Sequence, residues 1–413
     1  MSDRNHHSRA TVPLGIELDR LPDIGSGPDL VTRPGPSPLE LRQISGLTSG
    51  SVFPLSVGRT RFGVAPGRVE FELDLDTNGM VRLTPGERTV RLDGVAANGP
   101  TLVGAAIIDV GDARFAVTRR RSDTPRRRVT LRTDGTITEP VIPVPDRSPA
   151  IDPDAFTHEL RKRVSAARRV VMAQHRRSNP DPVELLTIAK RDDGQRWTRR
   201  LDDADFGRVS IAHAELPWHP RFDNIARIPN ASAIALDDLR YLVAASVTTN
   251  LRDGALAIVG DRSAGLAVAR QIMVSLATLT APSDLEIAVL APWHRAEAWH
   301  WADELPHTQG GGDFAVPLLF VDGVEQLDDS LGTALIESCG AGAVILADDP
   351  SEIPVRCSTS MLIAPDGRAT IINHRTGETM MGATPLGLTE RLAAAAATDL
   401  RDATLGAVQT AVG

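Results

Sequence analysis

The spacing of apolar positions changes character several times along the chain. Residues 1–38 are rich in Pro, Gly, Ser and Asp and carry no apolar period, as in SGPDLVTRPGPSPLE, so a disordered lead is expected. From 39 to 118 the runs are short and alternating (SVFPLSV, TRFGV, RVEFELDLD, MVRLTP, RTVRLDG, AAIIDV, ARFAV) and glycine turns separate them. That pattern predicts a small antiparallel β domain, a sandwich or barrel. Residues 119–153 form a basic, proline-containing linker, TRRRSDTPRRR followed by VIPVPDRSPAIDPD. Residues 154–200 read as a helical segment. In FTHELRKRVSAARRVVMAQHRR, Leu160, Val164, Ala167 and Val171 recur at helical spacing among arginines, and PDPVELLTIAK opens a second helix with a cap and prolines. Residues 201–395 alternate strands and helices, the signature of an α/β domain with a largely parallel sheet. Its candidate strands are ALAIVG, LEIAVL, PLLFVDG and AVILAD. Its candidate helices are AGLAVARQIMVSLATL, RAEAWHWADEL and DDSLGTALIESC, and SMLIAPDG with ATIINH suggests a hairpin. Residues 396–413 are left as a C-terminal tail, and no internal repeat is evident.

Composition narrows the class. With 413 residues, 42% hydrophobic and 24% charged, the chain can build two or three cores, and disordered or fibrous classes are excluded. No run approaches the roughly 18 apolar residues of a membrane span, and MSDRNHHSRA lacks the apolar core of a secretory signal, so a cytoplasmic protein is expected. Cys339 and Cys357 stand apart without a C-x-x-C pairing, which points to buried free thiols rather than a disulfide or zinc framework. A net charge of −8 argues against a protein that coats nucleic acid. Lys162 and Lys190 are the only lysines, as a GC-rich genome would give, and chemistry that requires a lysine has few candidates.

The most informative stretch is ALAIVGDRSAGLAVARQI, where a strand, a glycine loop and a helix follow in the order of a nucleotide-binding P-loop. In G-x-x-x-x-G-K-[ST] the backbone amides cradle phosphate, the lysine neutralises it and the hydroxyl holds magnesium. Gly260 and Gly265 have that spacing, but Leu266 stands in place of the lysine and Ala267 in place of the hydroxyl. Arg262 offers a phosphate contact from within the loop. In PLLFVDGVEQL, Asp322 ends an apolar strand where a magnesium-holding aspartate would sit, and Gly323 replaces the usual catalytic glutamate; such an aspartate is also an ordinary turn residue. The expectation is a vestigial nucleotide site comprising Gly260, Arg262, Gly265, Leu266, Ala267 and Asp322, without ATPase activity and without a cofactor.

The run NPDPVELLTIAKRDDGQRWTRRLDDADFGRVSI, with VGDRSAGLAVARQIMVSLATLTAPSDLEIAVLAPW, EAWHWADELPHT, PLLFVDG and SEIPVRCSTSMLI, resembles the FtsK/SpoIIIE-type ATPases of type VII secretion, the EccC/EssC family. The resemblance covers roughly residues 155–395 and is to the degenerate ATPase-like region before the first active module. Many actinobacterial members begin with a forkhead-associated (FHA) domain, and LRQISGLTSGSVFPLSVGRTRFGV and AAIIDVGDARFAV resemble its opening and closing strands. Val64 follows Gly63 where that domain normally has a phosphate-binding arginine, and no Ser-x-x-His follows. Arg59, Arg61 and Arg68 remain as weak candidates for phosphopeptide contact, although arginines on a β domain are usually solvated. The family's membrane hairpin would fall near Pro140 to Pro153, where the sequence is short and polar, and its active modules would begin about where this chain ends. The resemblance therefore implies the front half, without anchor or motor.

The basic linker, Arg119, Arg120, Arg121, Arg126, Arg127 and Arg128, suits peripheral contact with an anionic membrane or simple solvation; nucleic acid is not expected, since no aromatic residues interleave. Trp293, Trp299 and Trp301 suit either a partner-binding face or packing on the sheet. His294, His300 and His307 lack the spacing and carboxylates of a zinc helix, so no metal site is expected. The combined expectation is a non-catalytic accessory protein binding an FtsK/EccC-type ATPase or other secretion-complex proteins, held through a partner at the inner face of the membrane. The regulatory half of a split DNA or protein translocase and an FHA-type phosphoprotein adaptor are the alternatives.

Overall fold

The computed structural model describes residues 39–63, 69–103, 106–119, 139–145, 152–191, 194–310, 315–323, 339–340, 342–354 and 357–412. The chain divides into two compact units, Met1–Gln43 with Ser51–Ser122, and Ile44–Gly50 with Asp123–Gly413.

The first unit is a sandwich of two sheets. Strands β1 (Leu39–Ser45), β2 (Val52–Pro54), β3 (Gly58–Phe62), β4 (Phe71–Leu75), β5 (Val81–Pro85), β6 (Val90–Leu92), β7 (Val95–Ala96), β8 (Thr101–Val103), β9 (Ile107–Val110) and β10 (Ala113–Arg119) form a six-stranded sheet, β2-β1-β10-β9-β6-β7, and a four-stranded sheet, β3-β4-β5-β8. The two-residue alternation of FELDL sets its faces. Phe71, Leu73 and Leu75 are buried while Glu72 and Asp74 point outward, and Leu73 lies opposite Leu83 in the antiparallel register. The β4–β5 turn is held by the Asp76 carboxylate, which accepts the Asn78 and Met80 N–H groups at 2.9 and 2.8 Å. Between the sheets, Phe62 stacks on Phe71 at 4.9 Å and Phe71 meets Phe115 edge-on at 5.6 Å, giving the core an aromatic centre.

The second unit is built on a nine-stranded mixed sheet, β14-β12-β21-β20-β19-β15-β18-β17-β16. Its elements in chain order are β11 (Val141–Ile142), α1 (Pro153–Ser178), α2 (Pro182–Lys190), β12 (Arg208–Pro217), β13 (Arg221–Phe222), α3 (Asn230–Ile234), β14 (Tyr241–Asn250), β15 (Ala255–Val259), α4 (Arg262–Leu279), β16 (Leu285–Leu290), β17 (Val316–Asp322), β18 (Ala343–Ala347), β19 (Cys357–Ile363), β20 (Ala369–Asn373) and β21 (Thr379–Pro385), followed by a last helix, Glu390–Val412. The expected largely parallel sheet is only part of it. Strands β16, β17, β18, β15 and β19 pair in parallel, whereas β19–β20, β20–β21, β21–β12 and β12–β14 pair antiparallel. The reason is local. The connections after β19 and β20 are tight turns, such as Ala364 N–H to Arg368 C=O at 2.8 Å, and a turn of that length joins only antiparallel strands.

Helix α4 is buried along most of its length between the sheet and other helices. The last helix presents Ala393, Ala396, Ala397 and Leu400 to the same core, a stripe whose small side chains allow close approach. A boundary at 395/396 with a tail beyond it therefore does not describe this region, because the helix runs through it unbroken. The 154–200 segment is likewise part of this unit: α1 buries Phe156, Leu160, Val164, Ala167 and Val171 against Trp218, Leu239, Leu242 and Ala245, and Ala189 of α2 joins the α4 core. RAEAWHWADEL forms a 3-10 helix, Ala296–Glu304, rather than an α-helix. The helix expected over DDSLGTALIESC lies outside the described residues except for Cys339.

His307 is fully buried, its Nε2–H donating to the Thr280 carbonyl at 2.8 Å while Nδ1 has no hydrogen-bond partner among the described residues. Burial pushes its pKa from 6.5 down to about 4. Between these two values the unfolded chain binds the proton and the folded chain does not. The stabilisation that comes from keeping this ring neutral is complete above about pH 6.5 and is lost as pH falls toward 4, about 3 kcal/mol in all. Urea unfolding across this range should show that loss in the native chain and not in His307→Gln.

Candidate functional site

Because β15, β17 and β18 run parallel, their carboxyl ends share one edge of the sheet, the usual place for ligand chemistry in α/β folds. The glycine loop, Asp322 and Asp348 all meet there, joined by the segment after β16.

The loop after β15 leads directly into α4. Asp261 caps α4, its carboxylate accepting the Ser263 and Ala264 N–H groups at 3.0 and 3.4 Å and the Ser263 hydroxyl. The Gly265 N–H donates to the Asp261 carbonyl at 3.0 Å, so helical winding has already begun at the positions where a phosphate loop would still be open. The Ser263 hydroxyl, followed by the Ala264 and Ser263 amides, holds the Asp261 carboxyl below its usual range despite an opposing effect of burial. The anion at this helix N-terminus is thus supplied by the chain itself.

Both glycines have packing reasons. Gly260 has φ +144°, and a Cβ there would lie 2.7 Å from the Ile363 carbonyl oxygen; a Cβ on Gly265 would lie 2.7 Å from Leu346 Cδ2. Leu266 and Ala267 are buried, and the Ala267 carbonyl accepts the Leu388 N–H at 2.9 Å. The two positions that would carry lysine and hydroxyl in a working loop therefore belong to the core.

Asp322 is completely buried. Arg262 grips it with two bonds, Nη2 to Oδ2 at 2.6 Å and Nε to Oδ1 at 3.2 Å. Arg295 Nη1 reaches Oδ1 at 3.4 Å and Trp299 Nε1 donates to Oδ2 at 2.9 Å, while Arg295 Nη2 also faces Asp348 at 3.5 Å. Both carboxylate oxygens are engaged by the protein's own donors. Sequence reasoning brought together Arg262 and Asp322 but missed Arg295 and Trp299. The available signal was their position just after β16, the strand beside β17.

The three tryptophans do not form one face: Trp299 and Trp301 are buried, and Trp293 is 90% exposed. Arg59 and Arg61, on the outer face of β3, both face Glu72, with Nε–O distances of 3.5 and 2.9 Å. Arg119 ends β10; Arg68, Arg120, Arg121, Arg126, Arg127 and Arg128 lie outside the described residues. Among the described residues no group of three or more His, Cys, Asp or Glu side chains could hold a metal ion, and no helix is long and apolar enough to cross a membrane.

No protein-family model and no curated protein sequence matches the chain. Solved structures that match the chain include type VII secretion ATPases. EssC ATPases 2 and 3 from Geobacillus thermodenitrificans align at 13% identity and a TM-score of 0.35, covering 53% of this chain and 52% of that one. The cytoplasmic domain of the type VII secretion ATPase EccC from Thermomonospora curvata aligns at 11% identity and a TM-score of 0.30, covering 45% and 27%. Thermomonospora curvata EccC ATPases 2 and 3, in complex with a signal sequence peptide, align at 14% identity and a TM-score of 0.25, covering 35% and 39%. The chain spans about half of the first structure and less of the other two.

The ion-pair geometry has a stability consequence. Asp322→Ala should destabilise the protein by about 3 kcal/mol, because it removes the buried carboxylate that Arg262, Arg295 and Trp299 share, leaving Arg295 with Asp348 and Arg262 with the Arg295 carbonyl. Arg262→Ala should cost less, since Arg295 and Trp299 still answer Asp322. Chemical unfolding of the two variants tests this order.

Proposed function

We propose that the chain is a non-catalytic component of an FtsK/SpoIIIE-type, type VII secretion-like translocase that acts by binding other proteins. The observation that carries the non-catalytic half is the arrangement of Asp261, Arg262 and Asp322. A carboxylate occupies the helix N-terminus where phosphate would bind, and a guanidinium occupies the aspartate that would hold magnesium. Opening such a site to Mg-ATP requires breaking a bidentate ion pair to a fully buried carboxylate. The secretion-related half is supported by the ordered motifs of residues 155–395 that resemble the EccC/EssC family.

On this reading the α/β unit is an ATPase-like binding domain that docks on a motor protein, and the β sandwich, read as FHA-like, positions a further partner. Phosphopeptide recognition is the weaker role for the sandwich, because Glu72 already faces both Arg59 and Arg61.

Titration of the purified chain with ATP, with and without magnesium, should give no saturable binding heat up to millimolar nucleotide. Tight magnesium-dependent binding would overturn the proposal. Affinity copurification at native expression should recover an FtsK/EccC-type ATPase.

A further inference from the structure

The sequence holds two Asn-Gly steps, Asn78-Gly79 and Asn98-Gly99, and both fall in loops of the β sandwich. An Asn side chain followed by glycine is open to attack by the backbone nitrogen of that glycine, because no Cβ obstructs the approach. As sequence the two steps are equivalent. The structure separates them.

Asn78 is clamped by its own turn. The Asp76 carboxylate accepts the Asn78 N–H at 2.9 Å and the Met80 N–H at 2.8 Å, and the Gly79 N–H donates to the Asp76 carbonyl at 3.1 Å. The nitrogen that would attack is therefore engaged through its proton, and the backbone on both sides of Asn78 is held. Asn98 lies in the loop between β7 and β8, where the chain passes from the six-stranded to the four-stranded sheet. Ala96 stands where Asp76 stands in the other turn, and Pro100, which has no N–H, stands where Met80 does, so the same clamp has no carboxylate and lacks a donor. Asn98 is exposed, and among the described residues neither its side chain nor the Gly99 N–H has a hydrogen-bond partner. Space does not distinguish the two steps, since a Cβ on either glycine would meet nothing within 4 Å; hydrogen bonding does.

We propose that Asn98 is a self-modification site of this chain, converted to aspartate and isoaspartate while the fold protects Asn78. The Gly99 nitrogen gives up its proton to water and bonds to Asn98 Cγ; the Cγ–Nδ2 bond breaks, and the amide nitrogen leaves as ammonia, its added proton taken from water. The product is a cyclic imide. Water then adds to either imide carbonyl and that carbonyl's bond to the ring nitrogen opens, leaving aspartate in one case and, in the other, a backbone routed through the side chain as isoaspartate. Water is the only co-reactant, and nothing is oxidised or reduced. Either product exchanges a neutral amide for a carboxylate in the segment between Val95, 71% exposed, and Leu102, 58% exposed. The isoaspartate form also lengthens by one carbon the connection that links the two sheets. Age alone thus changes the charge and the path of this loop.

The test incubates the folded full chain at mildly alkaline pH, where loss of the amide proton is favoured. Both steps are followed by peptide mapping with mass spectrometry and by isoaspartyl methyltransferase labelling. Product should accumulate at position 98 about tenfold faster than at position 78 or more, a ratio set by the bonds that must open before Asn78 can react. In concentrated urea the two rates should draw together, because the clamp is lost with the fold. Asp76→Ala, with circular dichroism showing that it remains folded, should speed the reaction at position 78 severalfold and leave position 98 unchanged; should that variant unfold, the urea comparison carries the same information. Equal rates in the folded chain, no product at position 98, a faster reaction at position 78 or a ratio that persists in urea would overturn the proposal.

Discussion

A carboxylate with no surface in water must be answered by charge and hydrogen bonds, and Asp322 imposes that condition on the whole carboxyl edge of the parallel strands. It draws Arg262 from the first turn of α4, Arg295 from the segment after β16 and Trp299 from the 3-10 helix, and Arg295 carries the link on to Asp348 beyond β18. Elements that the chain joins only through long connections are thereby fixed at one edge. A buried ionic cluster of this kind adds little net stability over a well-packed apolar one, but each member penalises arrangements that leave it unpaired. Its value here is positional.

The same edge explains why α4 begins where it does. Once Asp261 caps the helix and Arg262 turns toward Asp322, the next residues wind directly into the core, and Leu266 and Ala267 become packing residues. Substituting lysine and threonine there would place a charge and a hydroxyl among apolar neighbours. The glycines serve this compact geometry as well: Gly260 lets the backbone pass the Ile363 carbonyl, and Gly265 lets the helix settle on Leu346. A motif spacing associated with phosphate binding is compatible with a different physical use.

Much of the architecture is written in local pattern. The alternation of FELDL, the Leu160, Val164, Ala167 and Val171 stripe, and the apolar runs that become β15, β16, β17 and β18 each state their element and their buried face directly. Less legible were β12 and β14, whose Arg208–Pro217 and Tyr241–Asn250 segments mix apolar with polar residues. Their register is bulged, so a simple two-residue alternation does not persist along them. RAEAWHWADEL carries helical residues yet adopts a 3-10 run, in which Trp299 donates to the Asp322 carboxylate and Trp301 lies in the core.

For the candidate site the division is similar. Sequence alone determined that a strand, a glycine pair and a helix follow one another, that lysine and hydroxyl are missing at positions 266 and 267, and that an aspartate ends a second apolar strand. These are facts of order and residue type, and local patterning suffices for them. Only the tertiary structure decided that Arg262 turns onto Asp322, that Arg295 and Trp299 complete the cluster and that Glu72 faces Arg59 and Arg61. Each of these pairings joins residues from different strands and loops, and a side chain's partner is set by which strands lie side by side and in what register, which for Arg262, Arg295, Trp299 and Asp322 is a long-range choice that no local spacing encodes.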